Sequence, residues 1–159
     1  MPRRNADTGD SVALRRELEL NPGTGVVSII GTINEIKNLP LFIRVAEKIK
    51  AKRKDVAFLI VGEGMASFVS RVRQLADQSP IASSFRFLGR RDDVARILGI
   101  TDVLAVTSRH ETFGRTVAEA MLAGVPVVST RCGGPEEIIV DGETGYLVPR
   151  DAPAAFSQA

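Results

Sequence analysis

A chain of 159 residues with 21 Lys and Arg against 19 Asp and Glu has a formal net charge of +2, so no charge bias demands nucleic acid or a membrane as partner. The length suits one domain with a real core and is short for a two-domain enzyme. The single cysteine, Cys132, excludes an internal disulfide. It fits a reducing compartment, and with no apolar run of membrane-spanning length and no apolar segment behind the basic start, the chain reads as cytoplasmic.

Residues Met1 to Asp10 are polar, with Pro2, Asn5 and Gly9, and read as a linker remnant. Ser11 to Leu20 suits a short helix bearing Val12, Leu14, Leu18 and Leu20, ended by Asn21-Pro22-Gly23. Residues 1–24 thus stand apart from a domain over 25–159. Val26 to Ile30, apolar apart from Ser28, reads as a strand covered on both faces and ends at Gly31. The loop GTINEIKN, Gly31 to Asn38, leads into a helix over Leu39 to Lys52 with Leu41, Val45 and Ile49 at helical spacing. A second apolar strand, Val56 to Val61, enters Gly62-Glu63-Gly64. That turn lacks the third glycine of a dinucleotide fingerprint, which excludes that reading.

The next helix, Ala66 to Gln78, carries Phe68, Val72 and Leu75 inward and its arginines outward. A strand at Phe85 to Leu88 ends at Gly89, and a brief helix follows over Asp92 to Leu98, which Asp92 can cap. Further strands fall at Val103 to Val106, Val125 to Ser129 and Tyr146 to Val148, and the closing DAPAAFSQA reads as the start of a helix. The alternation of apolar strands with helices predicts an α/β fold: one domain with a Rossmann-like doubly wound parallel sheet of about six strands. Ligands of such sheets bind beyond the carboxyl ends of the strands at a topological switch point. The loops at Gly31, Gly62, Gly89, Ser108 and Arg131 should therefore line one crevice.

The most informative stretch, Ser108 to Gly134, reads SRHETFGRTVAEAMLAGVPVVSTRCGG. A helix opening at Gly114 would leave the amides of Arg115, Thr116 and Val117 without intrahelical partners, aimed outward with the positive end of the macrodipole, which favours a phosphate. A glycine there lets a ligand approach the backbone closely. Glu119, in the second turn, can accept two hydrogen bonds from a vicinal diol such as a ribose, and Glu111 lies in the loop just before the helix. The alternative is that Glu111 serves the helix terminus electrostatically and Glu119 is a solvated surface acid.

The ordered run from Ser108 to Val148 resembles the nucleotide-binding half of the retaining GT-B glycosyltransferases. Two glutamates separated by seven residues, Glu111 and Glu119, are followed by the Ala-Gly-x-Pro-Val-Val entry at Ala123 to Val128 and the pair Gly133-Gly134. The resemblance runs from about Leu14 to Pro149 and implies one half of a GT-B fold, with residues 25–159 as the donor domain. It implies that Glu119 binds the ribose hydroxyls of a nucleotide-sugar and that Glu111, the catalytic acid of the set, lies beside the transferred sugar. Amides near Phe113 and Gly114 would hold sugar hydroxyls, and those of Arg115 and Thr116 the phosphates.

In the resembled enzymes a Gly-Arg after the first strand and a Lys six places beyond the Gly clamp the diphosphate. Here Gly31 is followed by Thr32 where the arginine would stand, and Lys37 occupies the lysine's place. The missing bidentate contact is worth roughly 1.5 to 3 kcal/mol. Arg115 either replaces that charge or faces solvent, and Lys37 either binds phosphate or is a solvated lysine. Gly89 and Arg90 are placed for the nucleobase, against the reading of Arg90 as a plain surface arginine. His110, the only histidine, is a sugar contact or structural, and Cys132 is packing. No metal-ligand spacing occurs, so no metal and no cofactor is expected; the nucleotide-sugar is substrate.

The function so implied is transfer of a sugar from a nucleotide-diphosphate sugar with retention at the anomeric carbon. The implied partner is an N-terminal acceptor-binding domain that this chain lacks, through which alone a membrane periphery would be reached, so the chain by itself should bind donor weakly and transfer little. Two other classes compete: an epimerase of the same architecture, which would turn over donor without acceptor, and a non-catalytic nucleotide-sugar-binding module, favoured by Thr32.

Overall fold

The structure, a computed structural model, describes residues 9–159. The polar start read as a linker remnant lies outside the described residues except for Gly9 and Asp10, which open the first helix. In chain order the elements are α1 (Gly9–Glu17), β1 (Gly25–Ile30), α2 (Leu39–Lys52), β2 (Val56–Val61), α3 (Ala66–Asp77), a 3-10 turn (Ala82–Ser84) and β3 (Phe85–Gly89). Then come α4 (Val94–Ile100), β4 (Val103–Val106), α5 (Arg115–Leu122), β5 (Val127–Thr130), α6 (Gly134–Ile138), β6 (Tyr146–Val148) and α7 (Pro153–Phe156). All six strands are parallel, in the order β3-β2-β1-β4-β5-β6. The fold is the expected Rossmann-like sheet, and its switch point lies between β1 and β4, which pair through Val27 with Val103 and Ser28 with Leu104.

The strands are apolar without alternation because both faces are covered, and their period of two deals side chains to two cores. Val26, Ile30, Leu59, Leu104 and Val127 pack with Leu14 and Leu18, with Ile97 and Leu98 of α4, and with Val117 and Ala120 of α5. Val27, Ile29, Phe58, Ile60 and Ala105 face the opposite way, against Leu41, Phe42 and Val45 of α2, Val72 and Ala76 of α3 and Phe156 of α7. Phe58 is fully buried between Phe42, edge-on at 6.1 Å, and Phe85 at 5.7 Å. Each such ring contributes roughly 1.5–3 kcal/mol by burial. Ser28, the one polar residue of β1, is satisfied inside the first core by Thr101 Oγ1 at 2.7 Å.

Four local expectations change. The first helix runs Gly9–Glu17 rather than from Ser11 to Leu20, because Glu19 turns left-handed at φ 54°. In α3 the buried stripe is Val72 and Ala76 with Val69 alongside, and Leu75 is 45% exposed, one position off the inward face. Asp93, not Asp92, stands at the N-cap of α4, and it caps no amide, its carboxylate being taken by Arg91 and Arg96. Strand β5 starts at Val127, after Pro126, and reaches Thr130. The short helix α6 was not foreseen.

Candidate functional site

At the carboxyl edge of the sheet, the loops after β1 and β4 face each other across the switch point. Lys37 lies in the first and Glu111 in the second, and Lys37 Nζ donates to Glu111 Oε1 at 2.5 Å. Both side chains are mostly sequestered from water, 16% and 19% exposed. The same Glu111 oxygen accepts from Ser108 Oγ at 2.7 Å.

The two loops hold these groups by their main chains. Asn34 Oδ1 accepts from the Lys37 amide at 3.1 Å, and Thr107 Oγ1 donates to the Lys37 carbonyl at 2.8 Å. The next residue, Asn38, takes the left-handed conformation at φ 50°, which asparagine tolerates, and starts α2 with Pro40 in its first turn. Across the crevice the Glu111 amide donates to the Cys132 carbonyl and the Glu111 carbonyl accepts from the Gly134 amide, each at 2.7 Å. Thr130 Oγ1 donates to the Ser108 carbonyl at 2.6 Å. Thr107, Ser108 and Thr130 are buried, so three hydroxyls at the ends of β4 and β5 tie the rim together from below. A Cβ on Gly134 would lie 2.5 Å from the Phe113 backbone, which is why two glycines stand where these loops meet.

Helix α5 begins at Arg115 with Gly114 as N-cap at φ 82°, a conformation that glycine adopts freely, and no side chain caps it. Its first hydrogen bond runs from the Val117 amide to the Gly114 carbonyl, so the amides of Arg115 and Thr116 ahead of it have no intrahelical acceptor. Glu119, half-exposed, lies 4.0 Å from Arg115, whose side chain is in solvent. Phe113 is exposed beside Gly114. One oxygen of the Glu111 carboxylate, Oε1, accepts from both Lys37 and Ser108. His110 is exposed, and Cys132 is buried in the first core, where burial pushes its thiol pKa up and keeps it a packing group. Among the described residues no group of three His, Cys, Asp or Glu is placed to hold a metal ion.

The loops after β2 and β3 form the other end of the rim. The Gly62 amide donates to the Gly89 carbonyl at 2.7 Å, and between them and α3 lies a cleft of about 260 Å³ lined by Glu63, Gly64, Ser70, Arg73 and Phe87. Arg73 lies over the Phe87 ring at 4.4 Å. Arg90 is exposed and sits near Asp92 and Glu63, at 3.4 and 3.8 Å. Its neighbour Arg91 is the anchored one: it bonds Asp93 twice at 2.8 Å and Glu17 at 2.7 Å, and the Asp93 carboxyl is held down at about 2, mainly by these Arg91 bonds.

Of the residues singled out from the sequence, Lys37 and Glu111 are in direct contact. Gly31 lies beneath Lys37, where a Cβ would meet its Cε at 2.8 Å, and Gly114, Arg115, Thr116 and Glu119 share the start of α5. Gly89 and Arg90 stand with the outer cleft, Gly89 in its lining and Arg90 paired with Glu63 of its wall and with Asp92. Sequence reasoning missed the supporting residues Asn34, Thr107, Ser108 and Thr130. The signal was present: hydroxyl residues closing two apolar strands need polar partners, and here those partners are the site's own loops.

Comparison with known proteins bears on the family and the fold. The family model described as "Glycosyl transferases group 1" matches residues 24–159. The chain is 37% identical over 142 residues to the D-inositol 3-phosphate glycosyltransferase of Mycobacterium sp. (strain JLS), covering 88% of this chain and 32% of that protein. It is 33% identical over 138 residues to the N-acetyl-alpha-D-glucosaminyl L-malate synthase of Bacillus anthracis, 87% of this chain and 35% of that protein. The crystal structure of Anabaena Alr3699/HepE in complex with UDP-glucose superposes with a TM-score of 0.88 at 26% identity, over 96% of this chain and 42% of that one. The chain spans about a third of the length of the curated relatives it matches.

Proposed function

Because the chain belongs to the group 1 glycosyl transferases, as one domain of GT-B type, we propose that it is the donor-binding domain of a retaining glycosyltransferase that moves a sugar from a nucleotide-sugar to an acceptor. One observation carries the reading. Lys37 and Glu111, 74 residues apart, meet at the switch point, on the loop that runs into the uncapped amino end of α5. A cation and free helix amides suit a diphosphate, while a carboxylate beside them suits sugar hydroxyls.

In this reading Glu119 takes the ribose diol, the amides of Arg115 and Thr116 take phosphate oxygens, and the outer cleft by Gly89 and Arg90 takes the base. Lys37 and the helix amides stabilise the leaving diphosphate as the sugar develops oxocarbenium character. Holding donor and acceptor in near-attack geometry supplies up to about 7–11 kcal/mol of such a barrier. We place the acceptor on a second domain facing this rim.

The test is calorimetric titration of UDP, GDP and ADP against the wild type and Glu119→Gln, which keeps the shape and removes the charge. UDP comes first, since a relative's structure holds a UDP-sugar. We expect the best-bound nucleotide to lose about tenfold in affinity, the loss of one charge-assisted contact. Equal affinity in the two proteins removes Glu119 from the site.

A further inference from the structure

We infer that the Lys37–Glu111 pair makes the site discriminate for a ligand that carries both a diphosphate and a sugar, and against one that carries the diphosphate alone. The inference rests on the donor-binding reading above and goes beyond it, to what the site does when no ligand or only half a ligand is present.

Each group is the other's counter-ion, in a setting largely closed to water. The two are not equally free to move. Glu111 is fixed at both ends of its peptide unit by Cys132 and Gly134, and its Oε1 is also held by the buried hydroxyl of Ser108. Lys37 is fixed only at its backbone, by Asn34 and Thr107, and its ammonium sits at the end of four methylenes. An arriving phosphate therefore draws the ammonium away, and the carboxylate stays behind. That leaves a mostly buried anion with one neutral donor, a state that a lone carboxylate does not tolerate well.

A nucleoside diphosphate or pyrophosphate brings nothing to relieve it. A hexose attached beyond the second phosphate brings hydroxyl donors to the lone pairs that Lys37 has vacated. The same arrangement favours release of the nucleoside diphosphate: once the sugar is gone, Glu111 recaptures Lys37. The pair thus sets substrate-over-product selectivity, a role distinct from either residue's direct contact with the ligand.

The experiment uses inorganic pyrophosphate, which contains neither base nor sugar, together with UDP and UDP-glucose. These are titrated against the wild type, Glu111→Gln, Lys37→Ala and the double variant, each shown to be folded by circular dichroism. Glu111→Gln should bind pyrophosphate about tenfold more tightly than the wild type, and the gain should vanish in the Lys37→Ala background. The preference for UDP-glucose over UDP should shrink in Glu111→Gln from both sides. Unchanged pyrophosphate affinity in Glu111→Gln overturns the inference, and so does a gain that survives Lys37→Ala, because it would report only the removal of a nearby negative charge. Either result with nucleotide binding intact leaves the donor-binding reading standing. A wild type that binds neither pyrophosphate nor any nucleotide overturns both.

Discussion

The two ends of the crevice rim are held by opposite means. At the inner end, the loops after β1, β4 and β5 are locked by buried hydroxyls and by backbone bonds across a glycine pair, and the charged pair Lys37–Glu111 sits on that frame. At the outer end, the loops after β2 and β3 surround an open cleft, and what secures the β3 loop is a chain of ion pairs at the surface: Glu17 to Arg91, Arg91 to Asp93, Asp93 to Arg96 and Arg96 to Asp10. The difference matters because buried hydrogen bonds between neutral groups carry no charge to screen or titrate, whereas ion pairs that reach the surface, such as Arg91–Glu17 and Arg96–Asp10, do. The inner end is suited to chemistry that needs fixed geometry. The outer end is held less rigidly.

The largest expected effect falls on the inner frame. Gly134→Ala places a Cβ 2.5 Å from the Phe113 backbone, which has no flexible end to move aside. We expect a loss of about 2–3 kcal/mol in urea unfolding, with nucleotide affinity falling as well. At the outer end Gly89→Ala meets no atom within 4 Å and bears only the strain of its φ of +66°, about 1–2 kcal/mol. Equal destabilisation by the two would erase the contrast.

Thr32→Arg, at an exposed position, adds a second cation to the β1 loop that carries Lys37. It should tighten pyrophosphate or nucleoside diphosphate binding by about tenfold, with little change in stability. No gain in calorimetry would move the phosphate away from the β1 loop and onto the α5 amides alone.

The third prediction concerns acid. The Asp93 carboxyl is lowered from 3.8 to about 2 in the folded chain, so its contribution is complete above about pH 4 and is lost as the pH falls through 2. Solvent screening leaves it on the order of 1 kcal/mol. Stability measured between pH 4 and 2 should therefore fall less steeply in Asp93→Asn than in the wild type. Parallel curves would show that these ion pairs do not hold the outer loop.

The smallest effect belongs to Arg90→Ala. Its side chain is 70% exposed and its ion pairs are long, so stability should change by no more than about 0.5 kcal/mol. A change confined to nucleotide affinity, and differing among UDP, GDP and ADP, would assign Arg90 to the base.

Much of this molecule is determined by sequence alone. Helix α2 and strands β2, β4 and β6 occupy the residues that apolar runs and periodicity predict, because a buried parallel strand or an amphipathic helix is specified within its own few residues. The spacing of Glu111, Gly114 and Glu119 likewise fixes a loop, a helix start and an acid one turn on. The rest required the tertiary structure. Local pattern could not tell Leu75 from Ala76 as the inward residue, since that depends on how α3 is rotated against the sheet. Nor could it choose Asp93 over Asp92, because the choice rests on Arg91 reaching Glu17, 74 residues earlier. Helix α6 is five residues long and depends on Gly133, whose amide donates to Glu136 Oε1 at 3.0 Å. Above all, the meeting of Lys37 with Glu111 follows from strand order: β4 lies beside β1 only because the chain crosses the sheet between them, and no residue near either one encodes that neighbour.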